Sequence, residues 1–182
     1  NNLDFETTSG YTLTISGSDG LFSDSATFTI TILNVNDNAP VVDDGSWSVS
    51  ESAATWTLVT SISWSDIDGD VITYNIIWGN SDGVFGISWD TIIVSDTNNL
   101  DFETTSGYTL TISGSDGLFS DSATYTITIL NENDNPPVVG DGTWSVTESA
   151  FTWALVVTIS GSDADGDSIT YSIVSWNDDG VF

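Results

Sequence analysis

The sequence predicts an all-β fold of tandem seven-stranded, Greek-key, immunoglobulin-like β-sandwiches, and two observations lead to this prediction. Residues 1–27 are identical to residues 98–124, and the similarity continues at a constant offset of 97 as far as Phe85 and Phe182. Short runs within the repeat alternate apolar with polar residues, which is typical of strands with one buried and one solvated face. Roughly seven such strands in about 100 residues, separated by Gly, Ser, Asp and Asn clusters, indicate this sandwich.

The repeats have natural boundaries after a recurring Asn-Asp-Asn sequence. Residues 1–38 are then the C-terminal part of one unit, residues 39–135 are a complete unit, and residues 136–182 are the N-terminal part of a third.

Within the complete unit, five stretches are rich in β-branched and aromatic residues, and we predict strands there. They are Trp56–Ile62, Val71–Ile77, Thr91–Val94, Tyr108–Ile112 and Ala123–Ile129. Strict alternation in the fourth stretch predicts threonines on its outer face. Tryptophans that match between units are interpreted as core or inter-sheet packing residues. These are Trp47 with Trp144 and Trp56 with Trp153, whereas Trp64, Trp78, Trp89 and Trp176 are less regular.

The joint between units is stiff and rich in oxygen. Asn34–Pro40 follows one predicted strand, and the same pattern returns at Asn131–Pro137. Proline cannot donate a hydrogen bond to a sheet, and it favours extended backbone at the residue before it. Asn and Asp oxygens with freed carbonyls suit a hard cation, although such a segment by itself is also an ordinary Asx-rich turn.

The composition excludes several functions. The chain has 27 acidic residues and no Lys, Arg, His or Cys, so its formal net charge is −27. Nucleic acid and anionic membrane surfaces are therefore excluded as partners. The usual general base and the Ser-His and Cys-His nucleophile pairs are absent. Because no ion pair can offset converging carboxylates, we expect divalent cations to be part of the fold.

No apolar run is long enough to cross a membrane as a helix, so we expect no membrane insertion. The printed sequence starts without methionine or a leader-like segment, which favours a mature fragment or an excerpt.

Three acidic motifs recur together with the joint. They are Leu-Asp-Phe-Glu at Leu3–Glu6 and Leu100–Glu103, Asp-x-Asp-Gly-Asp at Asp66–Asp70 and Asp163–Asp167, and a glutamate early in the unit at Glu51 and Glu148. Alternating acids on a tight loop converge their oxygens, as calcium requires. No glutamate closes a twelve-residue loop, so this is not an EF-hand.

These four motifs, in this order within a 97-residue unit, resemble cadherin extracellular repeats over the whole chain. The resemblance implies calcium at the junctions between repeats and a stiffened rod. The implied ligands after Asn135 are Glu51, Asp101, Glu103, Asn133, Asp134, Asn135, Asp163 and Asp165. The implied ligands after Asn38 are Asp4, Glu6, Asn36, Asp37, Asn38, Asp66, Asp68 and, as a less certain match, Asp116.

The sequence departs from the family pattern in two places. The joint opens with Asn34 or Asn131 where the family usually has aspartate, which removes one formal charge. Phenylalanine takes the usual arginine position in Leu-Asp-Phe-Glu, without the loss of a ligand. The near identity of the units is more similar to the cadherin-like arrays of bacterial or archaeal surface proteins than to animal receptors.

We therefore expect a non-enzymatic extracellular or cell-surface protein that forms a calcium-stiffened filament, stalk or adhesin. The alternative is a carbohydrate-binding module whose exposed tryptophans contact surface glycans. Two units need 2 × 97 = 194 residues, so the 182 residues lack 12, which correspond to Gly86–Thr97. Either the sequence is an excerpt of a continuous array, or separate copies complete each other head-to-tail, with Phe182 against the sheet of Tyr11–Ile15 of a neighbour.

Overall fold

The computed structural model describes residues 3–175 and residue 180. All regular elements of this part of the chain are β-strands. In chain order they are β1 Gly10–Ser18, β2 Ser23–Thr31, β3 Val41–Val42, β4 Gly45–Ser50, β5 Leu58–Ser61, β6 Trp64–Ser65, β7 Thr73–Trp78, β8 Phe85–Ser88, β9 Thr91–Val94, β10 Gly107–Ser115, β11 Ser120–Leu130, β12 Val138–Val139 and β13 Gly161–Ser162. No helix in the described residues is long and apolar enough to cross a membrane.

The complete unit forms a sandwich of seven strands, as predicted. One sheet has the order β4-β11-β10-β7, and the other has the order β5-β9-β8. The chain passes from one of these sheets to the other between β4 and β5, β5 and β7, β7 and β8, and β9 and β10, whereas β8–β9 and β10–β11 are hairpins within one sheet. Such crossovers are typical of Greek-key sandwiches. The strand β9 has the predicted bounds, and β10 and β11 extend the predicted runs at both ends.

One pairing differs from the expected antiparallel sheets, because β4 runs parallel to β11. β4 enters the unit at the end where β11 begins, so both strands run towards the next joint. The alternation of Trp47 and Val49 with serines in β4 is compatible with either direction of pairing, so the sequence does not specify the parallel one.

The core lies between the two sheets of the complete unit. Alternate residues of β10 and β11 face it, and seven apolar ones are at most 8% exposed: Tyr108, Leu110, Ile112, Ala123, Tyr125, Ile127 and Ile129. Residues of the opposite sheet and of the adjoining loops complete the core, namely Val84, Phe85, Ile92 and Val94. Thr109 is exposed and Thr111 is half-buried, so the predicted outward threonines of β10 are confirmed.

The matching tryptophans divide into two kinds. Trp47 is half-buried and stacks on Tyr125, with ring centroids 5.1 Å apart and planes at 12°, so its predicted packing role is confirmed. The same interpretation is wrong for Trp56 and Trp153, which are 74% and 95% exposed. Both residues have a positive φ, 74° and 73°, and this backbone turn directs the side chain away from the core. Trp56 lies just before β5, and Trp153 takes the equivalent position in the third unit. Trp144 is also exposed, and Trp176 lies outside the described residues.

The hairpin β1–β2 has the same pairing as β10–β11, but no second sheet of the described chain packs on its apolar face. Its pairing runs from Gly10↔Thr31 to Ser18↔Ser23, the same register as Gly107↔Thr128 to Ser115↔Ser120. Its apolar face is nevertheless open, since the counterparts of the core residues are 38–55% exposed: Tyr11, Leu13, Ile15, Phe28 and Ile30.

Candidate metal centres

Asp68 is the centre of the first junction, after Asn38. This carboxylate is only 9% exposed, and its Oδ2 accepts hydrogen bonds from the backbone amides of Asn38 at 2.8 Å and Asp37 at 3.2 Å. Its Oδ1 accepts from Asn38 Nδ2 at 3.1 Å. Burial raises the pKa of Asp68, but the hydrogen bonds from Asn38 outweigh it and hold this pKa below the usual value. The joint of one unit is thereby fixed on an acidic loop of the next.

Carboxylates from both sides of this joint converge on the same point. Glu6, Asp37 and Asp68 place oxygens within 4.8 Å of one another, and so do Asp66, Asp68 and Asp70. Four side-chain oxygens here are shielded from water and have no hydrogen-bond partner in the described chain: Glu6 Oε1, Asn36 Oδ1, Asp66 Oδ2 and Asp116 Oδ2. Buried acceptors without a donor are costly unless a cation or water satisfies them. This donor set fits a hard, oxygen-preferring cation.

The outer carboxylates of this junction are oriented by their own loops. Asp66 Oδ1 accepts from the amides of Gly69 and Asp70, at 2.8 and 3.1 Å, which leaves Oδ2 free. Asp116 Oδ1 accepts from the amides of Leu118 and Phe119, at 2.7 and 2.6 Å, again leaving Oδ2 free. Asp4 uses both oxygens, since Oδ1 accepts from the amides of Glu6 and Thr7, and Oδ2 accepts from Thr7 Oγ1 at 2.7 Å.

The second junction, after Asn135, repeats this construction around Asp165. Asp165 Oδ2 accepts from the amide of Asn135 at 2.9 Å, and Oδ1 accepts from Asn135 Nδ2 at 2.9 Å. These bonds lower the pKa of Asp165. Asp163 Oδ1 accepts from the amides of Asp165 and Asp167, at 3.1 and 3.3 Å. Glu103, Asp134 and Asp165 form one close group of oxygens, and Asp163, Asp165 and Asp167 form another.

Glu51 is a buried carboxylate, 7% exposed, that brings the early glutamate into the second junction. Its Oε2 accepts from the amide of Phe102 at 2.6 Å, and its Oε1 accepts from the amide of Glu132 at 2.5 Å. It lies within 4.8 Å of Asp101 and Glu103. Desolvation raises the pKa of Asp134, and the carboxylates of Glu51, Asp165 and Asp101 raise it further. Negative charge is therefore concentrated here without a cationic side chain to balance it.

Asn34 and Asn131 have a role that the sequence did not reveal. Asn34 Nδ2 donates to the backbone carbonyl of Asp68 at 2.8 Å, and Asn131 Nδ2 donates to that of Asp165 at 2.8 Å. Aspartate could not donate here, so the departure from the usual joint adds a hydrogen bond between units. The carbonyl that accepts each hydrogen bond lies 34 residues away in the chain. The only sequence signal was the recurrence of asparagine at the same position in both joints.

The predicted site residues are thus distributed over two centres. At the joint after Asn38, close oxygen groups and hydrogen bonds bring together Glu6, Asp37, Asn38, Asp66 and Asp68. Asp4, Asn36 and Asp116 lie outside these close groups. Asn133 is exposed, unlike its half-buried counterpart Asn36. Asp70 and Asp167 were not predicted, and the third acid of each Asp-x-Asp-Gly-Asp loop was the available signal.

The comparisons with known proteins agree on one family. A family model described as cadherin domain matches residues 46–130. Human Protocadherin Fat 1 is 34% identical over the whole chain, and human Protocadherin Fat 4 is 36% identical over 87% of it. The chain spans about 4% of the length of these relatives. The bacterial or archaeal origin favoured by the near-identical units stays a prediction.

Solved structures support the same conclusion. A structure titled as the cis-dimer of Protocadherin gammaB7 EC3-6 superposes with a TM-score of 0.77 at 26% identity, covering 89% of this chain and 45% of that one. Mouse Protocadherin-24 EC1-3 gives 0.71 at 26% identity, covering 90% of this chain and 58% of that one.

Proposed function

This chain belongs to the cadherin family of extracellular adhesion modules, and we propose that it works as a calcium-stiffened rod whose units join head-to-tail into a filament or stalk. As a cadherin-like cell-surface module it is not an enzyme. The observation that carries the proposal is the convergence of acidic and amide oxygens from consecutive units at each joint. A glycan-binding module needs its tryptophans together on one open face. No observation on the described residues favours this alternative, since Trp56 and Trp89 lie beside opposite ends of β9.

Two sets of residues would hold calcium. At the joint after Asn38 they are Asp4, Glu6, Asn36, Asp37, Asn38, Asp66, Asp68 and Asp116. At the joint after Asn135 they are Glu51, Asp101, Glu103, Asn133, Asp134, Asn135, Asp163 and Asp165. Bound calcium would supply positive charge to oxygens that no side chain of this chain can neutralise.

Stiffening follows from where these oxygens originate. Asp68 and Asp165 belong to the following unit, while the other residues of their close groups, Glu6 with Asp37 and Glu103 with Asp134, belong to the preceding unit and the joint. A cation held by both units resists bending at the joint, because bending would separate its ligands. Without it, the like charges repel and favour an open joint.

The relatives support adhesion through copies of the same kind of module, since one solved neighbour is titled a cis-dimer. Predicted unit boundaries at residues 38 and 135 coincide with the two candidate centres.

Thermal unfolding with calcium and with excess EDTA tests the proposal. A ligand that binds the folded state at 100 times its Kd stabilises that state by about 2.7 kcal/mol, so EDTA should lower the melting temperature clearly. Asp134→Ala should remove the part of this calcium dependence that comes from the second joint. Asp24→Ala is the matched control, because Asp24 lies in β2, outside both centres, and its side chain accepts a hydrogen bond from the adjacent amide of Ser25. An EDTA-independent melting temperature, or equal effects of both variants in calorimetric calcium titrations, would refute the proposal.

A further inference from the structure

The outer face of the four-stranded sheet in the complete unit carries no charge. Its strands β4, β7, β10 and β11 contain a single acid, Asp121, which is half-buried and accepts a hydrogen bond from the amide of Val42 at 2.9 Å. The residues of these strands that face solvent are mostly serine and threonine, in a chain of net charge −27. The other acids of the unit lie between strands or at the joints, as Asp44 does at the border of this face, just before β4. Charge is thus confined to the ends and edges of the unit.

Four threonines form a regular grid at the centre of this face. The register of β10 and β11 sets Thr109 opposite Thr126 and Thr111 opposite Thr124. Side chains in such a grid are about 4.8 Å apart across the strands and about 6.8 Å apart along them. Each hydroxyl both donates and accepts hydrogen bonds, so an identical grid can pair with this one. The face is therefore self-complementary.

A β-bulge adds an exposed apolar pair at one border of the grid. The register of β7 against β10 shifts by one residue at Ile77, which brings Trp78 opposite Thr111. Bulges re-aim side chains, and here Ile77 and Trp78 are 60% and 66% exposed. The next residue, Gly79, has φ 87°, and a Cβ there would clash with the carbonyl oxygen of Thr109. This close approach to β10 holds the apolar pair beside the grid.

We propose that this face binds the same face of a second copy of the chain, so that two copies pack side by side with Trp78 of each on the threonine grid of the other. The contact is isologous, because one surface serves both partners. It adds a partner and a surface to the proposed rod. It does not rest on bound calcium, since no outward residue of these four strands is a carboxylate.

Charge selects this face over the loops and joints as the place where two copies meet. Each copy has a net charge of −27, so copies repel wherever their acidic loops approach each other. A contact through the uncharged sheet keeps those loops at the border, where salt screens them over about 8–10 Å. The centres of protein interfaces are depleted of charged residues and enriched in aromatic ones, as this face is with Trp78.

The area of the face is sufficient for a weak, specific contact. Four strands of about eight residues cover roughly 500 Å², so two such faces bury roughly 1,000 Å² together, the lower limit for a specific interface. The smaller sheet, β5-β9-β8, has three strands of four residues and covers only about 200 Å² per copy, which is too little. The hairpin β1–β2 has the same threonines in the same register, so each unit of a rod offers a further contact of this kind.

Trp78→Ser tests the proposal by sedimentation velocity over a range of chain concentrations in calcium. Serine is the residue at the equivalent position of the third unit, Ser175, so the fold accommodates this change. The variant should weaken dimerisation at least about tenfold, because tryptophan anchors carry a large share of binding free energy. Trp89→Ser is the matched control: Trp89 is 91% exposed in the turn between β8 and β9, outside the face, and its loss should leave dimerisation unchanged. Equal dimerisation of these two variants would overturn the proposal, as would an unmodified chain that stays monomeric at about 1 mM.

Thr126→Asp tests the centre of the grid. It places a carboxylate in each copy close to the two-fold axis, where the two charges repel, so dimerisation should be lost. Ser61→Asp adds the same charge to an exposed position of β5 in the other sheet and should leave dimerisation unchanged. Circular dichroism checks that each variant is folded, and a folded Thr126→Asp that dimerises as the unmodified chain does would refute the contact. The same order of variants should be found in EDTA at physiological ionic strength, so this test does not depend on the calcium function.

Discussion

Because one segment of the sequence is duplicated, the same substitution can be made at two positions whose neighbouring residues are identical. Leu13 and Leu110 occupy equivalent positions within the 27 residues that are repeated without change. Leu110 is 0% exposed in the core, whereas Leu13 is 45% exposed on the open face. Leu110→Ala should therefore destabilise the complete unit, and Leu13→Ala should leave it almost unchanged.

The expected difference can be estimated from these exposures. Leu→Ala in a packed core costs about 2–5 kcal/mol, since a cavity adds to the lost transfer free energy. Full burial of a leucine side chain contributes roughly 1.5–3 kcal/mol. Because Leu13 is only partly buried and its truncation leaves no cavity, Leu13→Ala should cost the hairpin β1–β2 about half of that free energy and the complete unit almost none. One kcal/mol shifts the melting temperature of a domain of this size by about 4–8 °C, so Leu110→Ala should lower it by on the order of 10 °C or more.

Near-ultraviolet circular dichroism is a suitable assay, because the stacked pair of Trp47 and Tyr125 reports on the core of the complete unit. The measurement is made at protein concentrations below those at which copies assemble. Equal losses for the two variants in the dilute monomer would show that the face of β1–β2 is already covered, and would refute the reasoning.

Three further predictions concern single groups. Asp134→Asn should raise the melting temperature in EDTA at neutral pH and lower it in calcium. Folding raises the pKa of Asp134, so the charged carboxylate destabilises the folded state increasingly as pH rises above the unfolded pKa of about 3.9. The gain in melting temperature in EDTA should therefore vanish below that pH. Asn131→Asp should weaken the second joint, seen as greater bending by small-angle scattering, because the donor to the Asp165 carbonyl is lost; an unchanged scattering profile would contradict this. Tyr125→Phe should leave the free energy of unfolding in urea unchanged or slightly raised, because the buried hydroxyl has no hydrogen-bond partner among the described residues and Phe28 takes the equivalent position in the repeat; a loss of several kcal/mol would contradict this.

The sequence was sufficient for features that depend on local pattern. A run of β-branched residues located β9, and alternation located β10 and β11. The recurrence of acidic motifs located the residues around Asp68 and Asp165. It failed where the outcome depends on a distant partner. Asn34 was read as a missing charge, since the carbonyl of Asp68 that accepts its hydrogen bond is remote in sequence. Trp56 was read as a core residue, although the backbone turns at that residue and directs the ring into solvent.

The repeated segment separates what a sequence encodes locally from what its context supplies. β1–β2 and β10–β11 share one register, so alternation and the turn residues are enough to specify the hairpin. The burial of its apolar face is not local, because Ile15 is 55% exposed while the identical Ile112 is 0% exposed. A two-stranded hairpin with an open apolar face is marginal in water, so the hairpin β1–β2 becomes stable when the rest of a unit covers this face. In a chain of net charge −27, successive units meet at each joint against electrostatic repulsion. Calcium at the joint would offset this repulsion, so we expect the stiffness of the joint to depend on bound metal.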